Sequence, residues 1–137
     1  MKSALSLEQE NRWAGDLLAV RAMSFMFKNL KVYQKSVDLA EIVSRLTESF
    51  PRGTYYLTDQ LNRAALSISL NIAEGNGRWH KPDRKNFFYI ARGSCHECVP
   101  LLEICFRKKL IDKDRYDFLN KELEEIAKMI SGLIGGG

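Results

Sequence analysis

Apolar residues recur at Tyr116, Leu119, Leu123, Ile126, Ile130 and Leu133, in steps of 3, 4, 3, 4 and 3. That spacing places them on one seam of a helix, while Lys121, Glu122, Glu124, Glu125 and Lys128 fall off it. Asp112 is a suitable N-cap, and the glycine tail at 135–137 ends the run. A helix with a single apolar seam must bury that seam against something. This requirement constrains the fold more than any other feature of the chain.

Three earlier segments carry the same signature. The first runs from about Lys31 to Phe50, with Tyr33, Val37, Ala40, Val43 or Ser44, and Leu46 as its apolar face, and Pro51 and Gly53 close it. The second runs from about Thr54 to Glu74, with Leu57, Leu61, Ala65, Ile68 and Ile72 on one face and Gly75 as its stop. The third runs from about Pro82 to Lys109 along Phe87, Ala91, Cys95, Cys98, Leu102 and Cys105. Pro82 suits a first helical turn, whereas Pro100 inside the pattern predicts a kink or a break. No stretch sustains period-two alternation, so the chain reads as all-α. Four amphipathic helices joined by short turns have one economical packing, an antiparallel up-down four-helix bundle. Phe87, Phe88, Tyr89 and Phe106 cover more than one face of the third helix, an apolar surplus that points to a subunit interface beyond the core.

Two domains of unequal weight follow: an extension over residues 1–25 and the bundle over 26–137. In the extension, Ser6 with Gln9 can form a capping box, and Trp13, Leu17, Leu18 and Val20 can form a short amphipathic helix. It reads as a loosely attached helix or as an arm that docks on a neighbouring subunit. Lys2 is not followed by the run of about seven apolar residues that a secretory signal needs. No segment reaches the roughly 18 apolar residues of a membrane span. With three cysteines, an odd number, the expected setting is a reducing cytoplasm with unpaired thiols.

The 137 residues carry 21 Lys+Arg against 17 Asp+Glu, a net charge of +4. That excess is concentrated. Between Arg78 and Arg92 lie Arg78, Lys81, Arg84, Lys85 and Arg92 with the single acid Asp83, which sums to +4 by itself. Trp79 and His80 interleave with these cations, so phosphate contacts and base stacking are both chemically available. The competing reading is a solubilising helix start. Arg107, Lys108 and Lys109 form a second basic cluster at the far end of the same helix.

The turn before this cluster contains Asn71, Glu74, Gly75, Gly77 and Arg78. Asn71 and Glu74 are three apart and share a face, where they are expected to hydrogen-bond across the bundle or to Arg78. Gly75 and Gly77 are expected to supply positive φ at the reversal. A general acid or base role for Glu74 lacks a paired group, and Glu97, close to the core seam, is likewise read as structural and in need of a partner. Cys95, Cys98 and Cys105 share the seam of Ala91 and Leu102, which favours packing over metal binding. His96 lies on another face, and two thiols alone do not complete a tetrahedral site. No Glu-x-x-His pair, phosphate loop or nucleophile-base arrangement is present, so no catalytic residue, metal or cofactor is expected.

Three segments together resemble one known family. Residues 27–36 (FKNLKVYQKS) are similar to its opening F-x-x-L-x-V-W/Y-Q-K-A, and residues 60–78 (QLNRAALSISLNIAEGNGR) to its signature Q-x-x-R-A-x-x-S-I-x-x-N-I-A-E-G-x-G-R. Residues 87–94 (FFYIARGS), followed by Glu97, resemble F-L-x-I-A-x-G-S-x-x-E. The family is that of the four helix bundle proteins, also called ribosomal RNA intervening-sequence proteins. The resemblance implies a bundle that assembles into a homo-oligomeric ring, usually a pentamer, without known enzymatic activity. Its members are encoded within ribosomal RNA insertions or stand alone. A related group, similar in fold, assists the reverse transcriptase of diversity-generating retroelements and binds nucleic acid through a basic surface. The chain departs from the pattern where Val99 replaces the second acid of an E-L-E element, where Pro100 follows it, and in the additional residues 1–25. Together these readings lead to a cytoplasmic, non-enzymatic, self-associating bundle that binds RNA or DNA through Arg78, Trp79, Lys81, Arg84, Lys85 and Arg92. The alternative is a protein-interaction scaffold or adaptor indifferent to those charges.

Overall fold

The computed structural model describes residues 26–135, and the readings made for residues 1–25 lie outside it. A short 3-10 turn, Met26–Asn29, leads into four helices: α1 (Lys31–Thr47), α2 (Tyr55–Asn76), α3 (Lys81–Arg107) and α4 (Lys113–Gly135). No strand occurs among the described residues. Successive helices pack side by side, and α1 also packs on α4, so the four close around one core. The short connections make neighbours antiparallel, which gives the up-down bundle expected from the seams.

Leu57, Leu61, Ile68, Ile72, Leu102, Leu119, Leu123, Ile126 and Ile130 are fully buried at its centre. The α2 and α4 faces agree with the sequence spacing. The α3 face agrees from Ala91 to Cys105, while that of α1 is rotated. In α1 the buried positions are Val32, Ser36, Leu39, Val43 and Thr47, while Val37 is exposed. Two hydroxyl residues pass as core because each satisfies itself locally. Ser36 Oγ donates to the Tyr33 carbonyl at 2.7 Å, and Thr47 Oγ1 lies 2.9 Å from the Val43 carbonyl. In α3 the core takes Phe88 rather than Phe87. Pro100 does not split α3. It sits on the exposed side, and the helix continues to Arg107.

The helix ends follow local chemistry. Asp112 Oδ1 accepts the Arg115 backbone N–H at 2.8 Å and caps α4. Gly53 turns the α1–α2 loop with φ of 92°. At the end of α3 the Lys109 N–H donates to Phe106 and the Leu110 N–H to Cys105, both at 2.9 Å, with Lys109 at φ of 62°. This is the bonding pattern of a Schellman cap, with lysine in the position that glycine usually fills.

Gly75 and Gly77 do not supply positive φ. Gly75 is buried within the last turn of α2, where an added Cβ would meet the Phe88 ring at 2.7 and 2.9 Å. Its role is close approach of α3. Gly77 follows the helix with an ordinary φ of −81°, and a Cβ there would make only ordinary contact with the Glu74 and Ala73 carbonyls, at 3.6 and 3.7 Å.

Candidate nucleic-acid interface

The α2–α3 connection holds the basic residues together. Arg78 and Trp79 lie in the turn, and Lys81, Arg84 and Lys85 occupy the first two turns of α3. Lys81, Lys85 and Arg92, spaced by 4 and 7, share one face of the helix. These cations differ in how they are occupied. Arg78 donates to Glu74 Oε1 at 2.6 Å and lies 5.0 Å over the Phe87 ring. Arg92 donates to Ser131 Oγ on α4 at 3.1 Å and lies 5.1 Å over Tyr89. Lys81, Arg84 and Lys85 have no hydrogen-bond or ion-pair partner among the described residues. Trp79 is 96% exposed.

The antiparallel topology adds two cations that reading along the chain missed. The turn 26–29 packs on α2, so the start of α1 shares the end of the bundle where α2 finishes. Lys28 and Lys31, both exposed, therefore stand at the same end as the α2–α3 turn. The last helix also finishes there, and its described residues from Met129 onward carry no charge. The signal was available: in an up-down bundle the start of helix one and the turn between helices two and three are always at one end.

The second basic cluster is separate. Arg107, Lys108 and Lys109 lie at the opposite end of α3, about 40 Å away for a helix of 27 residues. That end is internally balanced, with Arg45–Glu41, Arg107–Glu103, Lys113–Asp117 and Arg115–Asp112 all within ion-pair distance. The two clusters do not form one surface in a single chain.

The signature residues behave as structure. Asn71 Nδ2 donates to the Ser67 carbonyl at 2.8 Å and to Ser67 Oγ at 3.0 Å, within its own helix. It is Ser67 that reaches α3, with its Oγ 2.8 Å from Ser94 Oγ. Glu74 holds Arg78. Glu97 is exposed and off the seam, so the partner expected for it is not needed. Cys95, Cys98 and Cys105 are buried in the core. Loss of solvent pushes the Cys95 and Cys98 thiols up to about 12 and raises that of Cys105. His96 Nδ1 lies 2.8 Å from the Arg92 carbonyl on the exposed side. No group of three or more metal-ligating side chains converges among the described residues.

The aromatic surplus of α3 is smaller than its sequence indicates. Phe88 is buried, Phe106 stacks on Tyr116 at 4.6 Å, and Phe87 lies under Arg78. The exposed large apolar residues of α2 and α3 are Tyr55, Tyr56, Leu66, Leu70, Tyr89, Ile90, Val99 and Ile104. No described helix is long and apolar enough to cross a membrane.

Comparison with known proteins agrees with this architecture. A crystal structure at 1.70 Å of a protein of unknown function from the S23 ribosomal protein family of Bacteroides thetaiotaomicron VPI-5482 is 26% identical, with a TM-score of 0.70, and the match covers 75% of this chain and 97% of that one. No curated protein matches the chain. The family model of the 23S rRNA-intervening sequence protein matches residues 28–132. With the bundle, the Asn71–Arg78 turn and that match together, the chain belongs to the 23S rRNA-intervening sequence protein family.

Proposed function

We propose that the protein is a non-catalytic nucleic-acid-binding subunit that docks phosphates on the end of the bundle formed by the α2–α3 turn. One observation carries this reading. Lys28, Lys31, Arg78, Lys81, Arg84 and Lys85, from two separate stretches of chain, gather at one end against only Glu74 and Asp83. Lysine and arginine held this close repel one another, and bound phosphate relieves that repulsion while releasing counterions. Self-association, through exposed apolar residues such as Leu66 and Leu70, would repeat the basic end around an axis and raise its valency. The partner is then the RNA or DNA of a ribosomal RNA insertion or of a reverse-transcribing element, as the family resemblance implies.

A second reading, a protein scaffold, draws on the same apolar stripe, in which Leu70 is 58% and Leu66 51% exposed. Fluorescence anisotropy with a labelled RNA or DNA strand separates the two. Nucleic-acid docking predicts affinity that falls with a log–log salt slope of about −2 to −4, as three to five phosphate contacts require. Absence of measurable binding at low salt leaves the scaffold.

A further inference from the structure

The state of the nucleic acid follows from Trp79. It is the most exposed large apolar side chain of the described residues, at 96%, and no ring or guanidinium among those residues is stacked on it. Its aromatic neighbours are occupied, since Phe87 lies under Arg78 and Tyr89 under Arg92. An indole left bare in water beside unpartnered cations gains most by covering its face with another π-system. Lys81, two residues on, and Lys85, one turn further and about 6 Å along the helix axis, give a short cationic track beginning at the indole. In a duplex every base is already stacked, so the indole would gain little and only the charge term would remain. In a single strand each base has a face to offer, and that face is the same whatever the base or sugar.

Resting on the docking site proposed above, we infer that this site selects unpaired nucleotides, with Trp79 as the platform for one base and Lys81, Arg84 and Lys85 holding the flanking phosphates. The preference is for strand state and not for sequence, because stacking on an indole is open to the face of any base.

The test uses the full chain and three labelled probes: a 12-nucleotide oligo-U, a 12-nucleotide oligo-dT and a blunt 12-base-pair RNA duplex. Either single strand binds about tenfold or more tighter than the duplex, the scale of one stacked base. Trp79→Ala removes that margin and leaves duplex affinity unchanged, whereas R84E/K85E weakens all three probes. In a Trp13→Phe background, where Trp79 is the sole indole, single strands quench its emission and the duplex does not. Equal affinity for strand and duplex, or a margin that survives Trp79→Ala, overturns this inference while leaving salt-dependent docking intact. Failure of all three probes to bind at low salt overturns both.

Discussion

Lys109 and Gly75 show how two backbone positions were chosen by different constraints. Lys109 holds the left-handed conformation of the α3 cap at φ of 62°, where a Cβ is strained. Lys109→Gly is expected to raise stability by about 0.5–1 kcal/mol in urea unfolding, after the added entropy of the unfolded glycine is subtracted. Gly75 is the reverse case. A Cβ there would drive into the Phe88 ring, which is buried and has little room to yield, so Gly75→Ala is expected to cost about 1–3 kcal/mol. Gly77→Ala, with only ordinary van der Waals contacts at ordinary φ, changes stability little, and the contrast between the two glycines in one assay checks the assignment. The buried thiols add a pH term. Cys95 and Cys98 titrate near 12 when folded against an ordinary value of 9, so their stabilising contribution is complete below pH 9 and is lost as pH rises through the folded value. Native protein is expected to lose stability between about pH 9 and 12 and to react with a thiol reagent only on unfolding.

At the scale of elements, each of the four helix seams carries one polar bridge in addition to its apolar contacts. Asn62 Nδ2 donates to Thr47 Oγ1 at 2.9 Å between α2 and α1, and Ser94 meets Ser67 between α3 and α2. Arg92 reaches Ser131 between α3 and α4, and Lys35 lies 2.9 Å from both Glu122 and Glu125 between α1 and α4. Apolar seams tolerate sliding by one turn, while these bridges are met in one register only. Thr47→Val removes the acceptor of Asn62 at nearly constant volume and is expected to cost about 1 kcal/mol. Lys35→Met is expected to matter less and to lose its effect in high salt, since the pair is partly solvated. The helices and their order were legible because the 3-and-4 spacing of Leu57, Leu61, Ala65, Ile68, Ile72 and of Leu119, Leu123, Ile126, Ile130 is unambiguous. The facing of α1 was not. Its buried stripe includes Ser36 and Thr47, and only the local bonds of those hydroxyls reveal that they need no water. The spacing likewise puts Phe87 on the α3 seam, whereas the bare backbone at Gly75 admits the Phe88 ring instead.

For the whole molecule, the four-helix core places the chemistry at its ends. The buried cysteines sit within the core, and the charge divides between one end where cations outnumber acids and another where cations and acids pair. The sequence made the α2–α3 cluster visible because five of its cations are close together along the chain. It hid Lys28 and Lys31, which join only through folding, and it hid the pairing that neutralises Arg107. Assigning the docking end is the claim on which the functional account depends, and two charge reversals of equal size test it. The affinity of a labelled single strand at low salt is compared for the parent chain, R84E/K85E and K108E/K109E, with helicity checked in each. The account predicts a loss of about a hundredfold or more for R84E/K85E and little change for K108E/K109E. Undiminished binding by R84E/K85E, or an equal loss in both variants, would contradict it.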